Sequence, residues 1–176
     1  VMKDAMISVE DRRYYSHFGI DPWRTGGAII EGLTGSRERV GGTSTLTQQL
    51  ARNVFLNNNR SLDRKLREAI LAMALEWKFS KEQILELYLN EIPLGRRSFG
   101  VQAASRAYFD RDVGDLELHQ IAFLAILPKA PERYGRERYH DLAIARRNFV
   151  LDQMVANDFI TASAGEAATR MDLGLV

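Results

Sequence analysis

The sequence predicts an all-α protein, and three observations carry that expectation. Apolar residues recur at three- and four-residue spacing along most of the 176 residues. Alternating apolar and polar residues of the strand type are missing, as are internal repeats and low-complexity tracts. Capping signatures punctuate the periodic stretches.

Taken in order, the first element is the apolar run Ala5 to Val9, which reads as a helix and leads into Glu10-Asp11-Arg12-Arg13-Tyr14-Tyr15-Ser16-His17-Phe18-Gly19. If that helix continues, Glu10, Tyr14 and His17 share one face at i, i+4 and i+7. A carboxylate held among an aromatic ring, an imidazole and an apolar turn has its basicity tuned for proton transfer. The plain alternative is a capped helix end with a buried ion pair. Asp21 to Gly42 follows, with Pro22, Trp23, several glycines and the apolar run Ala28-Ile29-Ile30. It reads as a boundary within the domain, in its simplest form a surface loop with one helical turn.

The third stretch is Gly41-Gly42-Thr43-Ser44-Thr45-Leu46-Thr47-Gln48-Gln49-Leu50-Ala51-Arg52-Asn53. The two glycines permit close backbone approach, and Ser44 or Thr43 can cap the helix that follows. Thr45, Gln48 or Gln49, and Arg52 line one face of that helix, with Leu46, Leu50 and Val54 on another. A helix N-terminus beside such groups suits an anion or a sugar phosphate, whereas an ordinary amphipathic helix would turn the same face to water.

Arg64-Lys65-Leu66-Arg67-Glu68 opens a helix running through Ile70, Leu71, Ala74, Leu75 and Trp77. Arg64 and Lys65 lie four and three residues before Glu68, so a surface salt-bridge ladder is expected. Ser80 and Gln83 have capping-box spacing, and Ile84, Leu87 and Tyr88 form the core stripe of the next helix. Glu86 and Glu91 are read as structural, and Trp23 and Trp77 as interfacial or core anchors. Further on, Asp115 caps a helix through Leu127 that stops before Pro128. Asp141 to Ala156 offers Leu142, Ala145, Phe149 and Met154 to a core. Ser163 and Glu166 form a capping box before a last short helix.

Composition narrows the function classes. The length supports one domain with a sizeable core. Basic and acidic residues number 24 and 23, for a net charge of +1, which disfavours a nucleic-acid field. With no Cys, disulfide and thiolate roles are excluded, and His17, His119 and His140 lack metal-ligand spacing. No apolar run reaches the roughly 18 residues of a membrane span, and no signal peptide is visible.

In this order and spacing, the segments resemble the family 51 peptidoglycan glycosyltransferases, the glycan-polymerising domains of class A penicillin-binding proteins and monofunctional transglycosylases. The family patterns are E-D-x-x-F-x-x-H-x-G, G-[GA]-S-T-[IL]-T-Q-Q-L-x-[KR]-N, R-K-x-x-E and K-x-x-I-L-E-x-Y-L-N. Phe99 to Phe109 and Leu127-Pro128-Lys129-Ala130-Pro131 are similar too, so the resemblance covers essentially the whole chain. Tyr14 stands where Phe is usual, Thr43 where a smaller residue is usual, and Glu132 to His140 lacks the family's short Pro turn.

The resemblance implies an all-α, lysozyme-like fold, a globular head and a smaller jaw lobe flanking a cleft. Residues 21–42 would be a mobile, membrane-contacting part of the jaw. It implies polymerisation of lipid II with inversion at the anomeric carbon. Glu10 and Glu68 would be catalytic. Glu10 would be the base on the acceptor 4-hydroxyl, with Asp11, Tyr14, His17 and Gly19 shaping its surroundings. Thr45, Gln48, Gln49, Arg52 and Asn53 would hold the donor sugar and diphosphate. Arg64 and Lys65 would neutralise the leaving group, with Glu68 positioning them or a metal. Mg²⁺ or Mn²⁺ at the diphosphate near Glu68 is the expected cofactor, with no organic cofactor.

The implied partners are lipid II, the growing glycan strand, the inner-membrane surface and a C-terminal transpeptidase domain of the 1A-like type, with no nucleic acid. The implied location is the periplasmic face of the bacterial inner membrane, with an N-terminal anchor outside this sequence. Two rivals stand beside this reading. A lytic glycan-cleaving enzyme would have no use for Arg64 and Lys65. A non-catalytic helical module of the DNA-binding kind would bind in a salt-sensitive way.

Overall fold

The computed structural model of the protein describes residues 1–34, 44–56 and 61–176. Gly41, Gly42 and Thr43, and the later part of the 21–42 segment, lie outside the described residues. Ten α-helices are seen among the described residues: α1 (Met2–Glu10), α2 (Pro22–Thr34), α3 (Leu46–Phe55), α4 (Leu62–Lys78), α5 (Lys81–Glu91), α6 (Val101–Phe109), α7 (Leu118–Ile126), α8 (Pro131–Tyr134), α9 (His140–Ala156) and α10 (Ala162–Thr169). Among them the only β-type pairing is an isolated bridge between Pro93 and Phe99. The expected all-α class holds. No helix of the described residues is long and apolar enough to cross a membrane.

The chain forms two compact units, one of residues 1–9 and 89–176, the other of residues 10–88. In the first unit α7 is buried from His119 to Ile126 and packs on α9, which also carries α10. Its aromatic centre is Phe123, edge-on to Tyr108 at 5.3 Å and to Phe109 at 5.8 Å. The Tyr108 hydroxyl donates to the Leu94 carbonyl at 2.8 Å, and burial pushes its pKa up to about 12. The Arg96 guanidinium stacks on the same ring, 4.4 Å from its centre. Gly95 makes this possible: its φ is +78°, and a Cβ there would lie 2.5 Å from the Tyr108 hydroxyl and 2.1 Å from the Pro131 carbonyl oxygen.

Several sequence expectations are corrected within this unit. The helix after Asp115 starts later, at a capping box of Glu117 and Gln120, because residues 113–115 form a separate 3₁₀ turn. It also ends at Ile126, with Leu127, Pro128 and Lys129 in a 3₁₀ turn of their own. The last helix is capped by Thr161, whose hydroxyl accepts the Ala164 N–H, rather than by Ser163. On α9 the buried stripe is Ala143, Arg147, Val150, Leu151 and Met154, while Leu142, Ala145 and Phe149 are exposed. A fully buried Arg147 conceals that stripe from a hydropathy reading. Its guanidinium is held by the Asn148 side chain and by the carbonyl of Thr169 at the end of α10, and burial lowers its pKa.

In the second unit α3 packs on α4. Thr45 caps α3: its hydroxyl accepts the Gln48 N–H, and the Gln48 side chain accepts the Thr45 N–H at 2.9 Å. Ser44 is not that cap, since Thr45 is the last residue with extended backbone before the helix; Thr43 lies outside the described residues. Leu46 and Leu50 are buried as expected, but Val54 is exposed. Ser61 caps α4. The capping box of Ser80 and Gln83 is present before α5. The core of α5 is Ile84, Leu85, Tyr88 and Leu89, with Leu87 outside it and Glu86 and Glu91 exposed. Trp23 and Trp77 are 79% and 85% exposed, so neither is a core anchor. Residues 22–34 make a 13-residue helix, longer than the single turn of the loop reading.

Candidate active site

All of the sequence-selected residues lie in the unit of residues 10–88. The first helix stops at Glu10, and residues 12–20 are turns and bends, so Glu10, Tyr14 and His17 do not share a helical face. Turn bonds replace helical ones, with Tyr14 N–H on the Asp11 carbonyl at 3.0 Å and Ser16 N–H on the Arg13 carbonyl at 2.9 Å. The physical reason is tertiary. The Asp11 side chain is fully buried and bound to a different helix, accepting the Leu46 N–H of α3 at 3.0 Å. A helix N-terminus offers such unsatisfied donors, and its dipole favours an anion.

His17 lies 2.5 Å from the same Asp11 oxygen through Nε2, and its Nδ1 accepts the Gly19 N–H at 3.1 Å. The Asp11 Oδ1 atom is buried and without a hydrogen-bond partner among the described residues, with the Arg24 guanidinium 4.0 Å away. Arg24 donates to the Glu10 carbonyl oxygen at 2.9 Å. The Glu10 carboxylate accepts the Gln49 amide at 3.0 Å. Gln49 in turn accepts the hydroxyl of Tyr88 at 3.1 Å, and burial raises the Tyr88 pKa, keeping that hydroxyl a donor. The chain Tyr88–Gln49–Glu10 therefore fixes the orientation of a half-buried carboxylate.

Tyr14 is fully buried, with its ring edge-on to His17 at 5.8 Å. Its hydroxyl, the group that distinguishes it from the Phe of the family pattern, donates to the Lys81 carbonyl oxygen at 2.5 Å, and burial raises its pKa. Gly19, at φ +95°, lies so close to α4 that a Cβ would be 2.8 Å from the backbone of Ala72. Its carbonyl accepts the Thr45 hydroxyl at 2.7 Å. Thr45 and Gln48 are thus committed to the cap and to Gly19.

A second cluster sits at the start of α4. The Lys65–Glu68 rung of the expected surface ladder forms, but on a fully buried carboxylate: Lys65 Nζ, on a half-buried side chain, is 3.0 Å from Oε1 and 2.5 Å from the Ser44 hydroxyl. Oε2 of Glu68 is buried and unpartnered among the described residues, as is Nε of Arg64. The surface pair of this helix is Asp63 with Arg67, at 3.1 Å. Arg52 is half-buried and Asn53 exposed on α3. Sequence reasoning passed over Arg24, Thr47, Glu76, Lys81 and Tyr88, which complete the hydrogen bonding of the first cluster. Lys81 had a signal, since it opens the fourth motif; Arg24 and Glu76 had none.

A carboxylate held in one orientation, and a part-exposed lysine paired with a buried carboxylate, can together deprotonate a hydroxyl and receive an anionic leaving group. The comparisons with known proteins agree in kind. A family profile described as Transglycosylase matches residues 1–155. Penicillin-binding protein 1A of Aquifex aeolicus is 44% identical over 170 residues, 97% of this chain and 23% of that protein. Penicillin-binding protein 1B of Vibrio cholerae is 41% identical over 177 residues, 98% of this chain and 23% of that protein. The crystal structure of penicillin-binding protein 1A from Haemophilus influenzae superposes with a TM-score of 0.52 at 29% identity, covering 74% of this chain and 16% of that one. The chain spans about a quarter or less of the length of these curated relatives. With the profile running through both clusters and the all-α fold shared with a solved relative, the chain belongs to the transglycosylase family.

Proposed function

We propose that this domain polymerises lipid II into glycan strands, transferring a polyprenyl-diphosphate-linked glycan to the 4-hydroxyl of an acceptor GlcNAc with inversion. The observation that carries the reading is the Glu10 carboxylate, half-buried and oriented by Gln49 beside the buried Asp11. Glu10 takes the proton of the acceptor hydroxyl as that oxygen bonds to the donor's anomeric carbon. The bond from that carbon to the diphosphate oxygen breaks, and its electron pair leaves with the diphosphate. Diphosphate is already a good leaving group, so the remaining demand is for positive charge where it departs. Arg64 and Lys65 supply that charge, with Arg52 and Asn53 holding the donor. Glu68 orients Lys65 through their 3.0 Å contact. Tyr14, His17, Gly19, Thr45 and Gln48 support the backbone and side chains around these groups.

Among the described residues no three His, Cys, Asp or Glu side chains gather into a metal site. The buried, unpartnered Oε2 of Glu68 fits a hard divalent cation that takes its other ligands from the diphosphate. Mg²⁺ or Mn²⁺ held there would add charge neutralisation to that of Lys65. In the full protein the domain would work on the periplasmic side of the inner membrane, beside a transpeptidase domain, as the class A relatives imply. The exposed apolar side chains of Trp23, Ile30 and Leu33 on α2 support membrane contact by residues 21–42.

The test is polymerisation of labelled lipid II in detergent by the chain and by Glu10→Gln. Glycan ladders are expected from the parent, with the variant slower by about a hundredfold to ten-thousandfold at unchanged thermal stability. Ladders of equal rate from both would remove Glu10 as the base. Cleavage of preformed glycan without polymerisation would favour a lytic enzyme instead.

A further inference from the structure

Behind Asp11 and His17 lies a line of buried and half-buried polar groups that the proposed reaction does not use. Thr47 donates its hydroxyl to Oε1 of Glu76 at 2.7 Å, and Lys81 Nζ reaches the same oxygen at 2.8 Å. Thr47 is fully buried, and the Glu76 side chain is 4% exposed. The ammonium of Lys81 also lies 3.4 Å from Nδ1 of His17 and 4.5 Å from the centre of the Tyr14 ring. Three helices contribute to this line: Thr47 from α3, Glu76 from α4 and Lys81 from α5.

We infer that Lys81, anchored by Glu76, is a positioning residue that holds His17 as a neutral imidazole with its proton on Nε2, directed at Asp11. The inference rests on the reading of Glu10 as the base. The geometry around the ring argues it. Both neighbours of Nδ1, the Gly19 N–H and the Lys81 ammonium, are donors, so that nitrogen presents a lone pair. The ring proton then sits on Nε2, 2.5 Å from Oδ2 of Asp11. A second ring proton would meet the Gly19 N–H and the Lys81 cation head-on. Among the described residues the charged and titratable groups facing the imidazole are Asp11, Lys81 and, through Lys81, Glu76, with the Tyr14 ring against its side. Arg24 is 4.0 Å from the far oxygen of Asp11, and Arg13 is paired with Asp21.

A neutral imidazole leaves in place the negative charge of Asp11, the residue that follows Glu10 in the chain. An adjacent negative charge strengthens a carboxylate as a base. Lys81 thus acts on the reaction through His17 and Asp11 without touching substrate. A methionine at 81 keeps the length of the chain but removes the cation. Glu76 then keeps only Thr47 of its two partners, and Nδ1 no longer faces a positive charge.

Two measurements test this. In ¹⁵N-histidine-labelled chain at pH 8, His17 is expected to show a protonated Nε2 and a bare Nδ1; a proton on Nδ1 overturns the inference. In the lipid II assay, Lys81→Met is expected to lower kcat about tenfold with KM within about twofold, and Lys81→Arg to recover most of the loss. A parent-like kcat for Lys81→Met, or a loss in KM alone, also overturns it. Should Lys81→Met not fold, the tautomer of the unaltered chain decides. Failure of the parent chain to polymerise would sink the glycosyltransferase reading and leave the tautomer result standing separately.

Discussion

In residues 89–176 the buried side chains are mostly those that hydropathy puts inside, such as Phe123, Tyr108, Leu124, Val150 and Met154. In residues 10–88 three carboxylates, Asp11, Asp21 and Glu68, are fully buried, along with Thr45 and Thr47. The same unit leaves Trp23, Ile30, Leu33, Leu62, Leu66, Ile70 and Trp77 largely in the open. Burying a carboxylate costs several kcal/mol unless it is paired and hydrogen-bonded. Each of the three is accordingly bound: Asp11 by His17 and a helix N-terminus, Asp21 by Arg13 and the first turn of α2, Glu68 by Lys65. One unit buries what hydropathy puts inside, and the other buries charge while leaving apolar surface outside. A region that puts charge inside and leaves apolar surface outside is where function is to be sought.

The largest effect expected from this contrast is on stability. Phe123→Ala removes the ring on which Tyr108 and Phe109 pack, and should cost about 3–5 kcal/mol in denaturant unfolding. Turnover per folded molecule should stay at the parent level. A cost under about 1 kcal/mol would show that the apolar unit is not the stabilising one.

Asp21 sharpens the comparison from the other side. Its Oδ1 accepts the N–H groups of Trp23 at 3.1 Å and Arg24 at 3.3 Å, which makes it the cap of α2. Asp21→Ala should therefore cost about 1–2 kcal/mol. Burial opposes the Asp21 charge, but the Arg13 guanidinium and the two backbone donors outweigh it and hold its pKa below the ordinary 3.8. A carboxyl with a depressed folded value stabilises above its unfolded value and loses that contribution as the pH falls through the folded one. The denaturant midpoint of the parent should hence drop below pH 3.8, and Asp21→Ala should flatten that part of the profile. Parallel profiles would remove Asp21 from the account.

The smallest effect on stability belongs to the exposed apolar residues of α4. Leu62 is 91% exposed, and Leu66 follows one turn later. The double change Leu62→Ser with Leu66→Ser should move stability by no more than about 0.5 kcal/mol. Cosedimentation with anionic phospholipid vesicles should nonetheless fall. Unchanged vesicle binding would mean that this apolar surface serves something other than a membrane.

Much of this was legible in the sequence, and the illegible part has a common cause. Helices α3, α4 and α5 were readable because local signals agree: a polar cap, an apolar stripe and good helix formers in between. The stripe of α9 was misread because Arg147 interrupts it, and burial of an arginine depends on a carbonyl from another helix. The continuation of α1 past Glu10 was misread because Asp11 is drawn to Leu46, thirty-five residues away. Glu68 looked like one rung of a surface ladder because spacing reports neighbours along a helix and says nothing of depth.

By itself, then, the sequence determined the all-α class, most helix positions and the motif residues that the structure gathers within residues 10–88, though not the groups that complete their hydrogen bonding. Periodicity and capping are local, and motif order survives without coordinates. Only the tertiary structure decided which carboxylates are buried, that Gln49 orients Glu10, and that Lys81 and Glu76 stand behind His17. The bonds of Gln49 to Glu10 and of Lys81 to His17 join residues tens of positions apart. Their energies arise from desolvation and hydrogen-bond geometry, which exist only once the helices have packed.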